Sequence, residues 1–287
     1  VNDGEVRRTA FVMAGGGSLG AVEVGMLRAL LEHGEAPAFI VGASAGAING
    51  AFFASDPTPA GVERLAAIWR ALRREDLFPF SFANILGVLT GRGHACDHSG
   101  LRALLERYLS YDLLERAALP IHVVASDLVT GDEVLLSAGP AIDAVLASAA
   151  IPGVFPPVAI GGRQLVDGGV ANNTPISSAV QLGARRIIVL PTGFACALRQ
   201  VPSNAIARAM HALSLLGVRQ LLKDIEHYRH VVELRVVPSL CPLDVSPYDY
   251  SASSALIDRA TGTTRAWLAA GGLTRDEVPM QAHVHTH

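Results

Sequence analysis

Phe39-Ile40-Val41-Gly42-Ala43-Ser44-Ala45-Gly46 is the stretch on which the fold turns. Aromatic Phe39 and the β-branched pair Ile40 and Val41 lead into Gly-x-Ser-x-Gly, and Ala47-Ile48-Asn49-Gly50-Ala51-Phe52-Phe53 follows. The pattern reads as a buried strand, a tight turn and a buried helix, with Ser44 at the apex: a nucleophile elbow. Gly42 and Gly46 suit such a turn because a Cβ at either would collide with a neighbouring segment. The helix start beneath Ser44 supplies free N–H groups and partial positive charge where an oxyanion would form. A glycine-rich turn with an incidental serine is the plain alternative; the flanking strand and helix favour the elbow.

On the N-terminal side, residues 9–14 read as a short buried strand, followed by Gly15-Gly16-Gly17-Ser18-Leu19-Gly20 and a helix over 20–33. Ala21, Val24, Leu27, Leu30 and Leu31 form its apolar face, Glu23, Arg28 and Glu32 are expected to reach water, and Gly34 ends it. The opening 50 residues are thus a β-α-β-α unit on a parallel sheet. Further helices are expected at 57–73, 99–109, 140–148, 175–182, 202–229 (broken near Gly217) and 251–270. Strands are expected at 120–127, 133–137, 185–190 and 230–237, with a hairpin around Gly161-Gly162-Arg163. The uncharged run Leu77 to Leu89 is too short to span a bilayer and reads either as a core helix or as a cap that touches lipid. No linker divides the chain, so one domain is expected, with a motif-bearing core at about 9–190 and a helix-rich part at about 200–287.

Half of the 287 residues are hydrophobic and 17% are charged, enough to bury a large core. The net charge of −3 and the lack of a basic stripe set nucleic acid aside. Cys96, Cys196 and Cys241 form neither a zinc spacing nor a disulfide framework, so a reduced, cytoplasmic setting is expected, with peripheral contact at membranes allowed. Val1 to Arg8 carries no signal-peptide core. The tail His283-Val284-His285-Thr286-His287 reads as frayed chain rather than a metal site; no metal or cofactor is expected. Nothing in the sequence sets an oligomeric state.

Three glycine-marked sites fall at strand ends: 15–20, 42–46 and 167–169. Gly15-x-Gly17-x-x-Gly20 also fits a dinucleotide fingerprint, but that reading needs an acidic residue closing the second strand, where this chain has the elbow. The favoured reading turns the backbone N–H groups of Gly15, Gly16 and Gly17 toward a substrate carbonyl oxygen. Asp167, at the end of a hydrophobic strand before Gly168-Gly169, is the candidate base; by itself Asp-Gly is also a common hairpin turn. His122, His211, His227 and His230 lie on a strand, two helix faces and a strand start, none of them a glycine-marked loop.

Taken in order, Gly15-Gly16-Gly17-Ser18-Leu19-Gly20, Gly42-Ala43-Ser44-Ala45-Gly46 and Asp167-Gly168-Gly169 resemble the motifs of the patatin-like phospholipase family. Ser148-Ala149-Ala150-Ile151-Pro152-Gly153-Val154-Phe155-Pro156-Pro157 resembles the stretch upstream of that family's aspartate. The resemblance covers about residues 9–190. It implies a three-layer α/β/α sandwich with a mostly parallel sheet, a Ser44–Asp167 dyad without histidine, and hydrolysis of lipid or acyl-ester substrates. Many members carry Lys or Arg where this chain has Leu19, so here the oxyanion hole would rest on backbone N–H groups. A lipid-binding or scaffold protein that keeps the fold without turnover is the alternative.

Overall fold

The computed structural model describes residues 8–78, 94–193, 205–275 and 279. Among them the sheet has eight strands: β1 (Thr9–Met13), β2 (Phe39–Ala43), β3 (Ile121–Asp127), β4 (Glu133–Leu136), β5 (Val158–Ile160), β6 (Arg163–Asp167), β7 (Arg186–Leu190) and β8 (Glu233–Val236). The hydrogen-bonded path runs β5-β6-β3-β2-β1-β7-β8, and β4 also pairs with β3. From β3 to β8 all neighbours are parallel; β4, β5 and β6 are antiparallel additions. β1 and β2 are buried at every position, which is why they read as unbroken apolar runs rather than alternating ones.

Helices cover both faces. Phe11, Met13, Ile40 and Ile188 point into one core with α1 (Ala21–Glu32), α2 (Ala45–Ser55), α3 (Pro59–Ala71), α5 (Ser99–Tyr108), α6 (Ala141–Ser148) and α10 (Ser253–Ala269). Ala10, Val12, Val41 and Ile187 point the other way, against α8 (Ile176–Gln181) and α9 (Ala205–Tyr228). This period-two division is the expected three-layer α/β/α sandwich. The short helices α4 (Arg74–Leu77) and α7 (Gly169–Asn172) lie beside the site. The C-terminal part adds β8 to the sheet, and α10 packs so closely on α1 that a Cβ on Gly25 would lie 2.3 Å from the Ile257 carbonyl oxygen.

Two expectations are corrected. α9 is not broken at Gly217: the helix runs through it, and Gly217 is buried where a Cβ would stand 3.1 Å from the Asn173 amide nitrogen. Tertiary contact there outweighs the roughly 1 kcal/mol that glycine costs a helix. Glu23 does not reach water; it is fully buried, accepts a hydrogen bond from Asn49 Nδ2 at 2.7 Å, and burial holds its carboxyl well above the ordinary glutamate range. Of the uncharged run, only Leu77 and Phe78 fall within the described residues.

Candidate active site

β3 brings the two principal candidates together. Along one edge, β2 occupies Ile121 to Val124 and ends with Ala43 opposite Val124. β6 takes over the same edge, with Asp167 opposite Ala125, while β4 pairs along the other edge. The carboxyl ends of β2 and β6 therefore meet head-on, and the residue after β2 is Ser44. Ser44 Oγ donates to Asp167 Oδ2 at 2.7 Å across 123 positions of sequence.

Ser44 sits at φ 52°, ψ −120°, the single non-glycine residue with positive φ among the described residues. Such a conformation costs on the order of 1–3 kcal/mol and persists only where surroundings enforce it. Here they do. A Cβ on Gly46 would lie 2.3 Å from the Met13 carbonyl oxygen, so only glycine lets α2 start this close to β1. The Ser44 N–H donates to Ser148 Oγ (2.9 Å), which in turn donates to the Val124 carbonyl (2.5 Å).

Asp167 is equally fixed. Its Oδ1 accepts from the Gly169 N–H (2.8 Å), its N–H donates to the Ala150 carbonyl, and Ser126 Oγ donates to its carbonyl. Burial raises its pKa from 3.8 to about 6, partly offset by the bonds from Ser44 and Gly169. A carboxylate so desolvated is a better proton acceptor than one in water.

The glycine loop lines the same cavity as Ser44 and Asp167. The Gly15 N–H is spent on the Asn173 carbonyl (3.0 Å), while the Gly15 carbonyl accepts from Thr192 Oγ1 (2.7 Å) and Asn173 Nδ2 (3.3 Å). Ser18 holds the other end through its N–H to the Pro247 carbonyl (2.8 Å). Gly17, at φ 59°, passes so near Pro247 that a Cβ would lie 2.5 Å from that oxygen. Among the described residues the N–H groups of Gly16 and Gly17 have no acceptor. The set expected to face a substrate oxygen is thereby narrowed from three N–H groups to these two. Leu19 turns away into the core. Gly20 and Gly42 are packing glycines: a Cβ on Gly20 would stand 3.0 Å from Ala45 Cβ and Trp69, and one on Gly42 2.5 Å from the Gly46 carbonyl. Gly168 lies against the Val124 carbonyl.

Two cavities meet at Ser44. One, of about 110 Å³, also contains Asp167, Gly15 to Gly17, Asn173 and Tyr248. The Tyr248 hydroxyl is buried without a hydrogen-bond partner among the described residues, and burial, with the Asp167 charge nearby, pushes its pKa up to about 12. The second, of about 50 Å³, is apolar, with Ile48, Phe52, Trp69, Leu72, Leu101 and Phe155 around it. Phe78 borders both, stacked on Phe155 with ring centroids 5.4 Å apart. No histidine among the described residues lines either cavity. His122 Nδ1 pairs instead with Ser137 Oγ, and His227 and His230 are exposed.

Ser148, Asn173 and Thr192 were not singled out by the sequence. Ser148 and Asn173 stand inside stretches that drew notice for other residues; Thr192 carries no mark.

Fold and site define an α/β protein with a strained serine at a strand-to-helix turn, bonded to a buried aspartate. The patatin-like phospholipase family pattern matches residues 11–180, and the chain belongs to that family. An uncharacterized NTE family protein of Mycobacterium tuberculosis is 35% identical over 170 residues, 59% of this chain and 27% of that protein. Patatin-like phospholipase domain-containing protein 7 of Rattus norvegicus is 29% identical over 186 residues, 64% of this chain and 13% of that protein. The chain thus spans about a quarter or less of these relatives' length. Human GIVD cytosolic phospholipase A2, solved with methyl gamma-linolenyl fluorophosphonate, shares the fold at TM-score 0.50 and 14% identity, over 94% of this chain and 58% of that one. No helix among the described residues is long and apolar enough to cross a membrane.

Proposed function

We propose that the chain is a lipid acyl hydrolase that cleaves carboxylic esters through Ser44 and Asp167. Family membership supports lipid hydrolysis in general. The observation that carries the finer reading is the 2.7 Å bond from Ser44 Oγ to Asp167 Oδ2 at a positive-φ turn. Asp167 accepts the Ser44 proton as Oγ attacks the ester carbonyl carbon, and the N–H groups of Gly16 and Gly17 hold the tetrahedral oxyanion. Collapse breaks the bond to the alcohol oxygen, which leaves with the proton from Asp167. Water, losing its proton to Asp167, then attacks the acyl-serine, and Ser44 is regenerated as the acid departs. The apolar cavity beside Ile48 and Trp69 suits an acyl chain, and the more polar one beside Tyr248 the alcohol portion.

A fluorophosphonate probe tests this directly. It should label Ser44 alone, and Ser44→Ala should lose both labelling and turnover of a short chromogenic ester with the fold retained. A lipid-binding protein without turnover would give no ester hydrolysis in the wild type, and labelling at another serine would overturn the assignment.

A further inference from the structure

The cleft opens at the carboxyl end of the parallel strands, and that end carries an unusual share of the exposed apolar surface. Seven large apolar side chains stand exposed among the described residues. Five of them, Leu128, Val129, Val170, Leu213 and Leu216, belong to segments at this end. Leu128 and Val129 form the turn after β3, in which Ala125 pairs with Asp167 and the last residue, Asp127, pairs with Leu165. Asp127 stiffens that turn by accepting from the Val129 N–H (2.9 Å), so Val129 is held 84% exposed. Val170 follows directly on Asp167-Gly168-Gly169, and both Val170 and Leu213 line the larger cavity. The remaining two, Tyr108 and Val231, lie elsewhere; Val231 precedes β8 and so falls at the opposite end of the sheet.

α9 supplies the second observation. One side of it closes the cavity with Gly217, Val218 and Leu221. The other side is exposed, with Leu216 at 61%. Over 205–223 this helix carries Arg208, His211, Arg219 and Lys223 and neither Asp nor Glu; half-buried Asp224 and exposed Glu226 follow before it ends, so the basic residues belong to the stretch around Leu213 and Leu216 and not to the helix as a whole. Arg208, Arg219 and Lys223 are exposed and, at helical spacing, flank Leu216. An apolar ridge with basic residues beside it matches an interface with acyl chains inside and negative headgroups outside. Isolated apolar side chains on a surface need no explanation, but five on segments at one end of the sheet, two of them lining the cavity and two on a helical stretch with basic neighbours, do.

We propose that the β3–β4 turn, α7 and the exposed side of α9 form a docking face for anionic lipid surfaces, set around the mouth of the Ser44 cleft. The proposal rests on the lipid hydrolase reading for its purpose, but docking is measured without catalysis. Flotation with vesicles of ether-linked phosphatidylglycerol and phosphatidylcholine, which offer no ester to cleave, reports binding alone. The wild type should float with these vesicles and bind pure ether-linked phosphatidylcholine at least about tenfold more weakly. The variant Leu216→Asp/Arg219→Glu/Lys223→Glu, and separately Val129→Asp, should each lose about tenfold or more of the binding while turning over a soluble short ester at the wild-type rate. Unchanged flotation of both variants, or equal binding of the wild type to anionic and zwitterionic vesicles, would overturn the docking face. Absence of ester turnover by the wild type would instead count against the hydrolase reading and leave the flotation result standing.

Discussion

Asp167 carries two opposed demands. The proposed catalysis needs its charge, and its buried position disfavours that charge. Activity should rise as pH passes through about 6, where the carboxyl ionises, and then level off. That limb lies near the ordinary histidine value of about 6.5, so its midpoint alone does not distinguish the two kinds of base. Substitutions do. Asp167→Asn should lower kcat/KM by roughly 10²–10⁴, whereas single changes at His122, His211, His227 or His230 should cost little in folded protein. A folded histidine variant as inactive as Asp167→Asn would replace the dyad with a triad. Stability should move the other way. The folded pKa lies above the unfolded one, so the aspartate's contribution is full below 3.8 and is lost as pH rises through about 6. The interval corresponds to about 3 kcal/mol as an order of magnitude, and Asp167→Asn should melt higher than wild type at about pH 8.

At the scale of elements, the glycine loop and the elbow helix are joined by one buried polar cluster. Asn49 on α2 donates to the Gly20 carbonyl (2.9 Å) and to Glu23 (2.7 Å), and accepts from Trp69 Nε1 on α3 (2.7 Å). Asn49→Leu would strand all three partners in a dry interior. The expected cost is about 3 kcal/mol, or roughly 5–10 °C in Tm, with slower fluorophosphonate labelling as the loop loses its anchor. A melting point within about two degrees of wild type would mean that the cluster relaxes. Sequence reading reached the elements on either side but not this link. β1, β2 and the turn at Ser44 were legible because strands buried on both faces and glycines at strand ends leave local marks. Glu23 was misread because a charged residue in an amphipathic helix is normally solvated. Ser148 escaped because its partner, the Ser44 N–H, is 104 positions away. No spacing rule reaches across a fold that brings β6 to the end of β2.

For the whole molecule, the question is which way its buried charges tilt stability with pH. Glu23 and Asp167 both have folded pKa values above their ordinary ones, and half-buried Asp224 is raised to about 6. All three stabilise the fold less as pH rises. Glu32 and Asp97 shift downward, through Arg265 and Ser99 respectively, but are exposed and count for little. His98 and His122 are lowered by burial, so the fold gains from them as pH rises toward about 6.5. An absolute melting curve mixes these opposite signs. A difference against one isosteric variant does not, because the other groups cancel. Glu23→Gln keeps the shape and can still accept from Asn49, but it carries no charge at any pH. At about pH 8 it should melt above wild type, because wild type must either bury an anion or hold a proton that its unfolded chain has released. As pH falls toward the ordinary glutamate value of 4.5, the unfolded chain takes up the same proton and the advantage should vanish. Melting temperatures of both proteins across that range decide it. An advantage for Glu23→Gln that grows toward acid, or a deficit at about pH 8, would mean that the carboxylate is stabilised where it lies and that burial does not raise its pKa.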